Sequence, residues 1–286
     1  MSFFFKQLSL PKNYFMSQKE KKIAVIGAGN LGLSFVKGLI ESTHYDYNDF
    51  ILTRRNLNSL NFFEQNGSAI TSTNIGGVKN AAIIVLAVLP QKVNEVLNEI
   101  KDELTPNHLL ISVVTGIKVK DIENVIGTNI PIVRAMPNTA IAIRESMTCI
   151  ATTEQWKTHL PKVDTLFKHV GETIVINEEQ MTSATALCAC GIAFFLRAIR
   201  AASQGGNEID FHADEALKMA AQTAKGAASL LIHNQSHPED EIDKVTSPKG
   251  CTIAGLNEME HNGFSSSFIK GITISAKKAK GLYTEE

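Results

Sequence analysis

A short apolar run, Ile23-Ala24-Val25-Ile26, leads directly into Gly27-Ala28-Gly29-Asn30-Leu31-Gly32, and Leu31, Phe35, Leu39 and Ile40 then recur at helical spacing. A buried strand must therefore hand over to a helix through a turn carrying three glycines at GxGxxG spacing. Each glycine has a physical reason. Gly27 permits a tight turn, Gly29 lets a pyrophosphate approach the backbone, and Gly32 lets the helix pack against the strand. The helix N-terminus then offers free N–H groups and its positive dipole end to the phosphates. The glycine pattern alone arises by chance. The strand before it and the helix after it are what make it a candidate dinucleotide site.

Up to about residue 175 the chain goes on alternating short β-rich runs with helical patterns. Strands are predicted at 23–27, 50–54, 82–88, 109–115, 130–134, 147–151 and 173–176, with helical stretches at 31–42, 57–66, 91–103, 118–125 and 154–170. The alternation predicts an α/β fold, a doubly wound parallel sheet with ligands at the carboxyl ends of its strands. From residue 178 the pattern changes to long helical segments with no convincing strand. The expected division is an N-terminal extension at 1–20, a Rossmann dinucleotide-binding domain at 21–177 and an all-helical domain at 178–286. In the helical part, Ala216, Ala220, Ala224 and Ala228 form an i, i+4 ladder. Such a ladder allows close helix–helix approach, including between subunits, although alanine is also simply a good helix former.

Bulk properties exclude several classes. The 286 residues give room for two domains of ordinary size. Lys+Arg 28 against Asp+Glu 29 gives a net charge of −1, so no basic field draws nucleic acid or an anionic membrane. No apolar run is expected to approach the roughly 20 residues of a membrane span. Cys149, Cys188, Cys190 and Cys251 form no CxxC pair, which points to a reducing, cytoplasmic setting, with Cys188 and Cys190 as small buried packing residues. The start lacks the charged n-region of a signal peptide, and Met16 is an alternative first residue. His233 and His237 stand at i, i+4, but Pro238 follows and no third ligand is evident, so no metal site is expected.

The end of the second predicted strand bears on cofactor choice. NAD-binding folds place an acid there to bond the ribose 2′-hydroxyl, whereas this chain has Thr53, Arg54 and Arg55. Two guanidiniums and a hydroxyl suit a 2′-phosphate, which favours NADPH, with NADH as the alternative.

Two distant segments carry a family likeness. Arg134-Ala135-Met136-Pro137-Asn138-Thr139 follows a predicted strand, and Val245-Thr246-Ser247-Pro248-Lys249-Gly250-Cys251-Thr252-Ile253-Ala254-Gly255-Leu256 opens a helix. Together with GAGNLG, and in the same order from Lys22 to Leu282, they resemble Δ1-pyrroline-5-carboxylate reductase, the enzyme of the last step of proline synthesis. The resemblance implies a Rossmann domain followed by a helical dimerisation domain in a homodimer or higher homo-oligomer. It implies an active site where one subunit's helical domain meets the other's cofactor domain. It also implies that Asn30 and Leu31 belong to the diphosphate turn and that Ala87, Val88 and Pro90 flank the cofactor. Pro137 and Asn138 then lie near the nicotinamide.

Residue chemistry supports a matching role for the last segment. Ser247, Gly250, Cys251 and Thr252 sit in a turn before a helix, where backbone N–H groups and hydroxyls suit a carboxylate. The alternative is an ordinary helix cap by Ser247 or Thr252. The implied reaction is hydride transfer from NADPH to the C=N bond of L-1-pyrroline-5-carboxylate, a small imino acid, giving L-proline. A protonated imine carries its own activation, so the protein mainly orients it. Thr252 is the expected catalytic hydroxyl near the ring nitrogen. Three departures from the family pattern stand out: Lys249 replaces the first glycine of SPGG, Cys188-Ala189-Cys190-Gly191-Ile192-Ala193-Phe194 replaces SGSGPAY, and Leu89 replaces a lysine. They leave open a related cyclic imine such as a piperideine carboxylate, or a non-catalytic NADP-binding paralogue. A β-hydroxyacid dehydrogenase is disfavoured, because its family uses a lysine early in the helical domain and residues 178–195 contain none.

Overall fold

The computed structural model describes residues 22–283. The extension expected at 1–20, with the alternative start at Met16, lies outside the described residues. The strands are β1 (Ile23–Ile26), β2 (Phe50–Thr53), β3 (Ala69–Thr71), β4 (Ile83–Leu86), β5 (Leu109–Ser112), β6 (Ile132–Met136), β7 (Ser146–Ala151) and β8 (Gly171–Val175). They form one sheet in the order β3-β2-β1-β4-β5-β6-β7-β8. Around it lie α1 (Asn30–Glu41), α2 (Asn61–Gln65), α3 (Asn74–Val78), α4 (Val93–Ile100), α5 (Val119–Ile126) and α6 (Leu160–Lys168).

Both faces of the sheet are covered, and alternate residues of each strand serve different faces. Ile23 and Val25 of β1 join Ile83 and Val85 of β4 in one core, with Phe35 and Leu39 of α1 and Phe167 of α6. Ala24 and Ile26 join Ile84 and Leu86 in the other, with Val93 and Leu97 of α4 and Ile122 of α5. Burial on both sides explains why these strands are continuous apolar runs rather than alternating ones. Each fully buried Ile, Leu or Phe contributes about 1.5–3 kcal/mol.

The sheet departs from expectation in two places. It is not wholly parallel, since β6 and β7 pair antiparallel. Only 137–145 connects them, too short for the crossover of a dozen or more residues that a parallel pair needs. The strand β3 and the short helix α3 were not predicted. Three half-exposed residues and a helix containing Gly76 and Gly77 leave too little periodicity to read.

From the start of β1 the chain winds outward through β2 and β3, then returns to β4 on the other side of β1. This switch opens a crevice at the carboxyl ends of β1 and β4.

Beyond the sheet lie α7 (Met181–Ala184), a π-helical turn (Thr185–Cys190), α8 (Gly191–Glu208), α9 (Ala213–Asn234), α10 (Pro238–Val245), α11 (Cys251–His261) and α12 (Phe264–Ala279). Buried Arg134 on β6 anchors their start: its guanidinium pairs with Glu178 at 3.5 Å, and Glu178 also accepts the Val119 N–H at 2.6 Å. The helices α8 and α9 leave a groove of about 950 Å³ lined by Phe195, Ile199, Met219, Ala220 and Ala224. Their apolar side chains stay exposed in the single chain; Phe195 is 60% and Leu196 58% accessible.

Two further expectations are corrected. Residues Glu178–Glu208 form a helical stretch of 31 residues, within which an 18-residue window reaches a mean hydropathy of 1.6, long and apolar enough for a membrane span by length and composition alone. Its small and aromatic residues are individually ordinary, which hid the run. His233 and His237 do not share a helix, because α9 ends at Asn234 and His237 instead caps α10, its Nδ1 accepting the Glu239 N–H at 3.3 Å.

Candidate active site

The glycine turn has the shape its sequence predicts. Gly27 sits at φ +86, and a Cβ there would lie 2.8 Å from the Ala87 carbonyl oxygen and 2.7 Å from Val88 Cγ1. Gly32 packs on Val25, whose Cγ1 would be 2.9 Å from an added Cβ. Gly29 differs from both. A Cβ on it would meet only the Gly27 oxygen, at 3.9 Å, so the space in front of it is open. Gly29 is also the N-cap of α1, and no side chain caps that helix. The N–H groups of its first turn are therefore available to a ligand.

A cleft of about 800 Å³ gathers Gly27, Gly29, Asn30, Leu31, Thr53, Arg54, Arg55, Ala87, Val88 and Pro90 along the ends of β1, β2 and β4. These predicted cofactor residues thus share one space, of a size that suits a small ligand. The open Gly29, the uncapped helix and the cationic rim fit a dinucleotide carrying phosphates. Arg54 donates to the Ala28 carbonyl at 3.2 Å, which holds it beside the glycine turn. Arg55 pairs with Glu95 at 2.8 Å, and Lys92 pairs with the same carboxylate at 2.7 Å. The Lys92 hydrogen bond and charge, followed by the Arg55 charge, keep the Glu95 carboxyl below the usual range.

Thr53 departs from its expected use. Its side chain is 1% exposed and its hydroxyl accepts the Gly27 N–H at 3.2 Å while donating to Asn74 at 2.8 Å. Both bonds stay inside the protein, so the hydroxyl shapes the turn rather than meeting a phosphate. Asn74, Ser72, Lys92, Glu95 and Glu99 also line the cleft and were missed. No periodicity marks them, because they come from the short β3–α3 segment and the rim of α4.

Pro137 and Asn138 stand apart from that lining, at the end of β6. Asn138 caps the turn Thr139–Ile143 by accepting the Ala140 N–H at 3.0 Å, and its amide donates to the Cys188 carbonyl at 3.2 Å. It thereby joins the sheet to the π-helical turn. Cys188 and Cys190 are half-buried rather than buried, a correction to the expected burial, while Cys188 does pack against the cluster of Met136, Cys149 and Met181. Cys188 lies 3.7 Å from the Cys149 sulfur, whose hydrogen bond brings the Cys188 thiol down to about 7 while the Cys149 thiol is pushed up.

The Ser247–Gly250 segment is a tight turn closed by the Gly250 N–H donating to the Ser247 carbonyl at 2.9 Å. Gly250 is the N-cap of α11, and neither Ser247 nor Thr252 caps it through its side chain. The cap alternative is therefore overturned, and both hydroxyls remain for other partners. Lys249 occupies the third turn position at φ +60, where glycine is favoured. Lys249→Gly is expected to raise stability by about 0.5–1 kcal/mol, measured by urea unfolding; a loss would show that the lysine side chain has contacts that outweigh its strain. None of Ser247, Gly250, Cys251 and Thr252 lines the cleft at Gly27 within the same chain.

Among the described residues no group of three His, Cys, Asp or Glu side chains converges to hold a metal.

Residues 22–116 match the family described as NADP oxidoreductase, coenzyme F420-dependent, so the sheet and its cleft define an oxidoreductase of Rossmann type. Residues 178–282 match pyrroline-5-carboxylate reductase dimerisation. The pyrroline-5-carboxylate reductase 2 of Dictyostelium discoideum is 48% identical over 278 residues, covering 92% of this chain and 93% of that one. Pyrroline-5-carboxylate reductase 1 of the same organism is 49% identical, and this chain spans 51% of its length. A solved pyrroline-5-carboxylate reductase from Coxiella burnetii superposes with a TM-score of 0.83 at 31% identity, covering 93% of this chain and 100% of that chain. The Plasmodium falciparum enzyme, solved with NADP bound, shares the fold at a TM-score of 0.85 and 24% identity, covering 92% and 98%. The chain belongs to the pyrroline-5-carboxylate reductase family. Its dimerisation region makes it a homo-oligomer, and that region contains α8 and α9, whose apolar side chains are exposed in the single chain.

Proposed function

We propose that this chain reduces the C=N bond of L-1-pyrroline-5-carboxylate to L-proline with NADPH, as a homodimer or a higher homo-oligomer. The observation that carries the reading is the open space over Gly29 at the uncapped start of α1, in a chain so closely related to named reductases. Residues 21–177 act as the cofactor domain and 178–286 as the pairing and substrate domain. The turn at Gly27–Leu31, with Gly32 setting helix against strand, receives the diphosphate. Arg54 and Arg55 receive the 2′-phosphate, which supports NADPH over NADH because no acid stands at the end of β2. Ala87, Val88 and Pro90 wall the cleft, and Pro137 and Asn138 border the nicotinamide end.

When bound, NADPH supplies the hydride. The chain's own groups do the orienting. The turn holding Ser247, Gly250 and Cys251 belongs to one subunit and completes the cleft of the other, its N–H groups binding the carboxylate of the imino acid. Thr252 at the start of α11 hydrogen-bonds the ring nitrogen and fixes the C=N carbon toward the donor. Its hydroxyl is a weak acid, so its part is positional more than proton-donating. Four free cysteines support a reducing, cytoplasmic setting.

Following NADPH oxidation with five-membered and six-membered imino acids tests the reading. Preference for the five-membered ring supports it. Preference for the six-membered ring moves the assignment to a piperideine carboxylate, and cofactor binding without turnover of either marks a non-catalytic paralogue. Thr252→Ala is expected to lower kcat about 10–100-fold while leaving NADPH affinity unchanged. Unchanged turnover would remove Thr252 from the site.

A further inference from the structure

The glycine turn is held by a directed chain of hydrogen bonds that begins on another helix. The Gly27 N–H donates to Thr53 Oγ1 at 3.2 Å, and that hydroxyl donates to Asn74 Oδ1 at 2.8 Å. Asn74 then donates twice to one carboxylate, from its side-chain amide to Glu99 Oε2 at 2.7 Å and from its backbone N–H to Glu99 Oε1 at 3.1 Å. Four elements are linked in this way: the end of β1, the end of β2, the first residue of α3 and the last turn of α4. All four residues line the cofactor cleft.

The direction of the chain follows from Glu99. An ionised carboxylate only accepts, so it draws the NH2 of Asn74 toward itself and turns the Asn74 oxygen toward Thr53. The Thr53 hydrogen must then point at Asn74, which leaves an oxygen lone pair for the Gly27 N–H. An amide in place of the carboxylate would present its own NH2 to Asn74 and favour the flipped arrangement. Thr53 would then receive two donors, and its hydrogen would lose its acceptor. We propose that Glu99 is a positioning residue for cofactor binding, acting through Asn74 and Thr53 to fix the polarity and orientation of the glycine turn.

The inference rests on the reading of the cleft as the NADPH site, and the test separates the two. NADPH affinity is measured by calorimetry on the assembled protein, beside the melting temperature of the cofactor-free protein and the imino-acid KM at saturating NADPH. Glu99→Gln is expected to raise the NADPH Kd about three- to tenfold with the imino-acid KM unchanged. The double variant Glu99→Gln with Asn74→Asp restores every donor–acceptor match at the same net charge. Its carboxylate, moved from α4 to the start of α3, accepts both from the new amide on α4 and from the Thr53 hydroxyl. The Kd of this double variant is expected to return to within about twofold of the wild type, whereas Asn74→Asp alone sets two carboxylates together and binds worst. Wild-type protein that fails to bind NADPH would overturn the reading of the cleft. Wild-type binding with an unaltered Glu99→Gln Kd overturns the positioning role alone. A weakened Glu99→Gln that the double variant does not restore also overturns it, because the carboxylate would then act by its charge and not through the chain.

Discussion

Gly29→Ala is expected to fold with a stability within about 1 kcal/mol of the wild type yet to bind NADPH at least about tenfold more weakly. Gly29 lies at φ −90, which alanine adopts freely, and its added methyl would have no protein atom closer than the Gly27 oxygen at 3.9 Å. The methyl therefore meets only what occupies the cleft. Gly27→Ala makes the contrast. There the methyl would be forced to φ +86 and to 2.8 Å from the Ala87 carbonyl oxygen, so stability itself should fall by about 2–4 kcal/mol. Calorimetric NADPH titration and urea unfolding of both variants separate the two effects. Wild-type NADPH affinity in Gly29→Ala would show that the diphosphate does not lie over this residue.

A second large effect is expected at the face between α8 and α9. Phe195 is 60% exposed in the single chain and lines the apolar groove with Ile199, Met219 and Ala224. In a symmetric pair each substitution is felt twice. Phe195→Asp removes two buried rings and places two carboxylates in an apolar seam, weakening association by about 4 kcal/mol or more, which is roughly a thousandfold in Kd. Sedimentation should then show single subunits at micromolar concentration. Activity should fall with assembly, because the Ser247–Thr252 turn does not line the cofactor cleft of its own chain. An assembled, active Phe195→Asp protein would place the pairing surface elsewhere.

Much of the sheet was legible because its strands are buried on both faces. Runs such as 23–26, 83–86 and 109–112 are short, apolar and bounded by turn residues, so each stands out without any partner. β3 and α3 did not, since an edge strand of three half-exposed residues has almost no pattern to read. The same blindness hid Asn74, although it sits at the centre of the hydrogen-bond chain behind the glycine turn. The antiparallel placement of β7 was hidden for another reason. Strand direction depends on how far the connection must travel, and the residues of β7 themselves read the same either way.

The sequence by itself determined the strand–turn–helix that opens the dinucleotide cleft, because the constraints on Gly27, Gly29 and Gly32 are local and steric. It also marked Arg54 and Arg55 at the end of β2, since strand order in a Rossmann fold brings that end beside the glycines. Only the tertiary structure decided what the polar groups there do. Thr53 looked like a phosphate ligand and is instead engaged by Gly27 and Asn74, while Arg55 is paired with Glu95. A side chain's residue type fixes which bonds it can make. Which bonds it does make depends on neighbours distant in the chain, 21 positions away for Thr53 and Asn74 and 40 for Arg55 and Glu95.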